Sequence, residues 1–140
     1  MTNCFNRRSG QSLVEIVVAT GIAMLILAAL VAGAVIAVRN SQFSRTKARA
    51  MQLSREATEW IRGEREKGWS EFANNSGNYC LNILNFDTPG NCPTKIDDQF
   101  TRQAVLVKES NEKVKVTITT SWEDSNGEHN EQVITYLTKW

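Results

Sequence analysis

A single carboxylate stands at the start of a long uncharged stretch of this sequence. Glu15 directly precedes the run 16–38, which contains 23 residues and no charged side chain. An ionised carboxylate next to hydrocarbon is costly unless it pairs with a cation, so acidic residues in such positions are usually functional. We therefore expect Glu15 to serve a function and to meet a positive group.

The residues ahead of Glu15 suggest where that positive group comes from. Residues 1–10 are polar, carry Arg7 and Arg8, and end in Gly10. A secretory signal has its apolar region before the cleavage site, whereas here the apolar region follows Gly10 and would survive a cut there. Such a cut would create an α-amine on Gln11, four residues and about one helical turn from Glu15. The cation is then the new terminus of this chain or of a neighbour.

The stretch that ends at Glu15 reads Arg-Arg-Ser-Gly-Gln-Ser-Leu-Val-Glu and resembles the processing site of type IV pilins and type II secretion pseudopilins. The resemblance implies that a prepilin peptidase cleaves after Gly10 and methylates the new terminus. It also implies that Glu15 meets the N-terminus of an adjacent subunit during assembly. Gln11 departs from the apolar residue, most often Phe, that usually follows the cleaved bond in this family.

The first part of the mature chain is predicted to be one long helix. The apolar run at 1.5 Å per residue is long enough to cross a hydrocarbon core of about 30 Å, so we assign 11–38 to a transmembrane or filament-core helix. It contains no Pro and is rich in small residues, which allow neighbouring helices to approach closely. Residues 39–67 continue as an amphipathic helix, because apolar side chains recur there every three or four residues.

The remaining residues, 68–140, are predicted to form a globular domain with an antiparallel sheet. Turn-forming residues dominate 68–100, with a short strand within 79–86. Alternating patterns then predict strands at 102–108, 113–122 and 131–139, joined by polar turns as a meander. One helix on one face of this sheet is an α+β architecture, which is also the pilin-like fold that the resemblance implies.

Cysteine usage indicates an oxidising compartment. Cys4 lies in the leader and would be removed, which leaves Cys80 and Cys92 around a turn-rich loop. An extracytoplasmic disulfide is the preferred interpretation, and two free thiols in a reducing compartment are the alternative. A zinc site is disfavoured because His129 is the only histidine in the chain.

The sequence offers little for catalysis. No Ser/His/Asp or Cys/His arrangement and no phosphate-binding loop is evident, so we predict neither an enzyme nor a cofactor. Asp97 and Asp98 could bind calcium weakly, although a solvated acidic turn is the simpler interpretation. Residues 68–140 carry six basic and ten acidic residues, which gives no support for nucleic-acid binding. The four tryptophans are accordingly predicted to be packing residues.

We therefore expect a structural subunit, of the minor type, of a type IV pilus or related filament. Its expected partners are other pilin subunits, the prepilin peptidase, the inner-membrane assembly machinery and, before assembly, membrane lipid. The C-terminal domain would lie outside a single-pass inner-membrane helix, although Arg39, Arg45, Lys47 and Arg49 count against this orientation under the positive-inside rule. The alternatives are a minor pseudopilin, a membrane-anchored binding domain that never polymerises, and a secreted protein cut near residues 32–34.

Overall fold

A computed structural model describes the backbone of residues 9–140 and the side chains of residues 13–140. Two helices come first in the chain and four strands follow. They are α1 (Ser9–Lys67), α2 (Trp69–Phe72), β1 (Gly77–Cys80), β2 (Thr101–Ser110), β3 (Lys113–Asp124) and β4 (Gly127–Thr138). The long helix and the antiparallel sheet confirm the predicted α+β class.

The strands form one antiparallel sheet in the order β1-β2-β3-β4. The last three follow each other in the chain, so the predicted meander is confirmed. The turn after β3 contains only Ser125 and Asn126, because Gly127 already pairs with Asp124. Gly127 has a φ of 118°, which a residue with a side chain rarely adopts. The short strand predicted within 79–86 lies earlier in the chain, at Gly77–Cys80, and overlaps the predicted range only at Tyr79 and Cys80.

The sheet buries one face against the second half of α1. Alternate residues of β3 are buried, from Val114 to Trp122, while their neighbours are half-buried. On α1 the buried apolar residues are spaced by three or four positions, so that they form one stripe. These residues are Ala50, Leu53, Ala57 and Ile61. The buried faces predicted from helical periodicity and from strand alternation therefore pack on each other. They form two clusters, one with Ala57 and Ile61 and the other with Ala50, Leu53 and Trp122.

Polar side chains also join this part of α1 to the sheet. The hydroxyl groups of Ser54 and Thr120 are both fully buried and hydrogen-bond each other at 2.8 Å. The Thr58 hydroxyl is buried too and donates to the backbone carbonyl of Ser54 at 2.8 Å. Because buried polar groups are costly when unpaired, the bond between Ser54 and Thr120 favours one alignment of the helix on the sheet, whereas the Thr58 bond lies within α1.

The chain divides into two compact units, one ending at Phe43 and the other comprising Ser44–Trp140. In the first unit every described side chain, from Leu13 onwards, is exposed. Its apolar segment is long and apolar enough to cross a membrane, with none of its most hydrophobic window buried. The second unit contains the sheet, the core and the half of α1 that packs on them.

Candidate functional site

Glu15 lies near the start of α1, on an apolar and exposed part of the helix. Its neighbours along one side of the helix are Val14, Val18, Ala19 and Ile22, which together with Glu15 line a shallow concavity of about 650 Å³. The concavity is apolar apart from the carboxylate. An ionised group in such a lining is stable in water, but it needs a cationic partner once another apolar surface covers it.

No side chain from residues 13–140 forms a hydrogen bond or ion pair with Glu15. The cationic side chains nearest to Glu15 in sequence are Arg7 and Arg8, in the segment before Leu13. There the backbone of Gly10 and Gln11 belongs to the first turn of α1, and their side chains lie outside the described residues, as does the rest of the leader with Cys4. The cleavage after Gly10 and the pairing of Glu15 with an N-terminus therefore stay predictions.

The rest of the apolar segment has no unmet polar group among its described side chains. Thr20 is its only polar residue after Glu15, and its hydroxyl lies 3.0 Å from the carbonyl oxygens of both Ile16 and Val17. A hydroxyl bonded to its own helix is tolerated in an apolar medium. Glu15 is thus the one side chain between residues 13 and 38 that needs a partner from elsewhere.

Small residues leave open space along the same segment. A Cβ atom added to Gly21 or Gly33 would meet nothing within 4 Å. Around Ala34 a second concavity of about 430 Å³ is lined by Val31, Val35, Val38 and Arg39. Such recesses accept side chains of a neighbouring helix, which is how small residues promote helix association.

The predicted disulfide is present. Cys80 and Cys92 are bonded, and they close the loop that follows β1. Backbone hydrogen bonds from Cys80 N–H to Thr88 and from Gly90 N–H to Asn78 hold this loop along the outer edge of β1 at 2.8 and 2.9 Å. The side chain of Asn82 continues the attachment, because its carbonyl accepts the Arg102 backbone N–H at 2.7 Å.

Asp97 and Asp98 both have positive φ angles, 51° and 54°, in a tight turn between Ile96 and Phe100. The Asp97 carboxylate accepts two hydrogen bonds from the Arg49 guanidinium, at 2.8 and 3.1 Å, and so fastens this turn to α1. Among the described residues no group of three or more His, Cys, Asp or Glu side chains is placed to hold a metal. Asp97 is therefore an ion-pair partner of the helix rather than part of a merely solvated turn.

The tryptophans divide into three packing residues and one exposed residue. Trp60 lies against Phe86, with ring centroids 4.8 Å apart, and Trp69 donates from Nε1 to the Asn111 carbonyl at 2.9 Å. Trp122 is buried in the core. The prediction that Trp140 packs in the core is wrong, since its side chain is 85% exposed. Its ring instead contacts the Arg65 guanidinium.

The burial of one arginine, Arg102, was not predicted from the sequence. Arg102 is 2% exposed, and its guanidinium donates to the carbonyls of Leu53 in α1 (2.7 Å) and Leu81 (2.8 Å) and to the Glu56 carboxylate (3.0 Å). Burial lowers the pKa of this guanidinium, and Glu56 partly opposes that shift. Its burial could have been inferred from the alternation of β2, because Arg102 lies two residues before the buried Ala104 and so on the same inward face of the strand.

The chain was compared with protein-family models, curated proteins and solved structures, and none of them matches it.

Proposed function

We propose that this chain is a structural subunit, of the minor type, of a type IV pilus or related filament. The observation that carries the proposal is Glu15, a lone carboxylate on an exposed apolar helix, five residues after Gly10 and without a partner among residues 13–140. The stretch from Arg7 to Glu15 supports it through its resemblance to the processing site of prepilins. The α+β layout is compatible with a pilin-like architecture.

The proposed mechanism is assembly driven by the N-terminal helix. A prepilin peptidase removes residues 1–10, and the new α-amine at Gln11 becomes available to a carboxylate. When apolar helices leave the lipid and pack together, Glu15 neutralises the N-terminus of a neighbouring subunit. A subunit in the wrong register would bury an uncompensated charge, so the pair selects the correct register.

The apolar segment is suited to both environments that this mechanism requires. Before assembly it would sit in the inner membrane in contact with lipid, with the C-terminal domain outside the cytoplasm, where the bond between Cys80 and Cys92 is stable. After assembly the recesses at its small residues would receive side chains of neighbouring subunits. The partners in this scheme are other subunits, the peptidase and the inner-membrane assembly machinery.

The first test is the N-terminus of the mature protein, determined by mass spectrometry on membrane and sheared-surface fractions. A terminus at Gln11, methylated or not, is the expected result. An intact Met1 or a start near Val35 would contradict processing of the prepilin type.

The second test replaces Glu15→Gln, with Glu59→Gln as the matched control. Both substitutions remove one carboxylate from α1, but Glu59 is exposed and pairs only locally with Arg62, at 2.7 Å. We expect Glu15→Gln to leave membrane insertion intact and to abolish incorporation into filaments, while Glu59→Gln assembles normally. Equal incorporation of the two variants would refute the role of Glu15.

A membrane-anchored binding domain is the second candidate, and one observation favours it. At one end of the sheet a polar cavity of about 310 Å³ is lined by charged side chains from a loop and from the β3–β4 hairpin, including Lys95, Glu123 and Glu128. A domain of this kind would not depend on Glu15. Recovery of the uncleaved chain from membranes, with no filament fraction, would favour it over the pilin proposal.

A further inference from the structure

The two edges of the sheet are protected differently. The outer edge of β1 is covered by its own disulfide loop, through the backbone bonds at Thr88 and Gly90. β4 is the opposite edge strand, and no backbone hydrogen bond from another segment of residues 9–140 reaches the edge of Val133–Thr138. An uncovered edge presents a row of backbone donors and acceptors to any other strand.

Within β4, charged residues are confined to the first half. Gly127–Glu131 contains the carboxylates of Glu128 and Glu131, whereas Gln132–Thr138 contains no charge, no Pro and no Gly. Charges on an edge strand discourage pairing with another chain, and an uncharged run of strand-forming residues permits it. Ile134 and Tyr136 are 51% and 50% exposed on the sheet face that is turned away from α1. The second half of β4 therefore has the properties of a pairing surface.

We propose that this edge pairs with the same edge of a second copy of the chain, antiparallel and centred on Thr135. In that register Ile134 lies opposite Tyr136 of the second copy, and Val133 lies opposite its Leu137. Directly opposed aliphatic and aromatic side chains stabilise antiparallel strands. Opposed residues are always an even number of positions apart in the sequence, so their side chains lie on the same face of the sheet. The two sheets therefore join with their exposed faces on the same side.

Charge complementarity selects this register. Glu131 and Lys139 each lie four residues from Thr135, so each Glu131 faces a Lys139 of the other copy. Within its own chain the Glu131 carboxylate lies 3.4 Å from Lys47 Nζ of α1, so Lys139 would be a second cation beside it. The backbone N–H of Lys139 bonds to the Glu112 carbonyl at 2.9 Å, which keeps the edge extended up to this residue. A shift of two residues would set Glu131 against Leu137 in one direction or Lys139 against Val133 in the other. Both shifts separate Lys139 from Glu131 of the other copy, while Glu131 keeps Lys47 of its own chain.

The pairing is distinct from the proposed filament contact. It involves only the second compact unit, and its two-fold symmetry closes after two copies, so it cannot by itself propagate a filament. It would join two subunits side by side through their sheets, whether or not Glu15 finds an N-terminus.

The register is tested by single-cysteine cross-linking of the full chain in lipid bilayers, with Cys4→Ser to remove the leader thiol. Cysteines are placed in turn at Gln132, Thr135 and Thr138, and intact mass confirms that Cys80 and Cys92 remain bonded. We expect efficient oxidation to a covalent dimer for Thr135→Cys alone, because each flanking position would lie about 20 Å from its own copy. Equal yields at the three positions, or no dimer at Thr135→Cys, would overturn the proposal. A strand of another protein on this edge would give the latter result.

Two further variants test the side-chain pairs in the Thr135→Cys background. Ile134→Lys is expected to lower the cross-linking yield about tenfold. Val105→Lys is its control, since Val105 is 39% exposed on the same face of the sheet but lies on β2 between β1 and β3. Lys139→Glu should also lower the yield, because it sets a carboxylate against Glu131 of the other copy. Equal effects of the two lysine substitutions, or an unchanged yield for Lys139→Glu, would refute the register.

Discussion

Replacing Arg102→Met should destabilise the sheet domain by about 2 kcal/mol, mainly because one carbonyl loses its donor. The Leu81 carbonyl belongs to a fully buried residue and accepts from Arg102 Nε at 2.8 Å. An unsatisfied buried acceptor costs about 1–3 kcal/mol. The Leu53 carbonyl is less affected, because within α1 it also accepts the helical bond from the amide four residues later.

Two smaller effects act on the same balance. Glu56 loses its ion pair with Arg102, but its side chain is 56% exposed and can be hydrated, so this loss contributes at most about 1 kcal/mol. Removing a desolvated guanidinium acts in the opposite direction and partly offsets the cost. We therefore expect Glu56→Gln, the matched control, to change the free energy of unfolding by less than about 0.5 kcal/mol.

The free energy of unfolding can be measured by urea titration of the full chain in detergent micelles, monitored by tryptophan fluorescence. All four tryptophans lie between residues 60 and 140, so the signal reports on the sheet domain and not on the apolar segment. A change below about 0.5 kcal/mol for Arg102→Met would show that relief of desolvation outweighs the lost donor. An equal loss for Glu56→Gln would instead assign the stabilisation to the ion pair.

Two more predictions concern the loop and the β3–β4 turn. Replacing Cys80 and Cys92 by Ser should lower the free energy of unfolding by about 3 kcal/mol, measured by urea titration against the oxidised protein, because the bond closes a short loop. The pKa of Asp124 is lowered below its ordinary value of 3.8 by the backbone N–H of Asn126 and by His129, so this carboxylate stabilises the fold above that pH and the contribution is lost as the pH falls below it. Asp124→Asn should remove this part of the acid dependence, and an unchanged acid-unfolding profile would contradict it.

Local sequence patterns predicted most of the fold because the decisive contacts repeat regularly. The alternation in β3 and the three-to-four spacing on α1 each mark the buried face without knowledge of the partner. The extent of β4 was less predictable, since the polar residues 127–130 are extended only because they pair with the end of β3. The end of β1 was also not predictable, because the Leu81 backbone N–H still bonds to the Arg102 carbonyl of β2 before the chain turns into the disulfide loop.

The polar contacts of the domain could not be read from local patterns. Arg49 meets Asp97, 48 residues away, and Arg102 meets Leu53, 49 residues away, so their partners depend on the finished fold. The candidate assembly site differs again. The position of Glu15 follows from sequence, but its partner is predicted to lie on another copy of the chain, and no single chain can display that contact.

The internal bonding of Thr20 has a consequence for how the apolar segment changes its surroundings. Its hydroxyl is satisfied by carbonyls of its own helix, so this residue gains and loses no hydrogen bond when acyl chains are exchanged for the side chains of a neighbouring helix. The segment from Ile16 to Val38 therefore changes little in polar free energy when it moves from lipid to protein surroundings. Its transfer depends on how well its apolar surface packs in each. Glu15 is the residue that distinguishes the two environments, and one carboxylate is enough to give the exchange a direction.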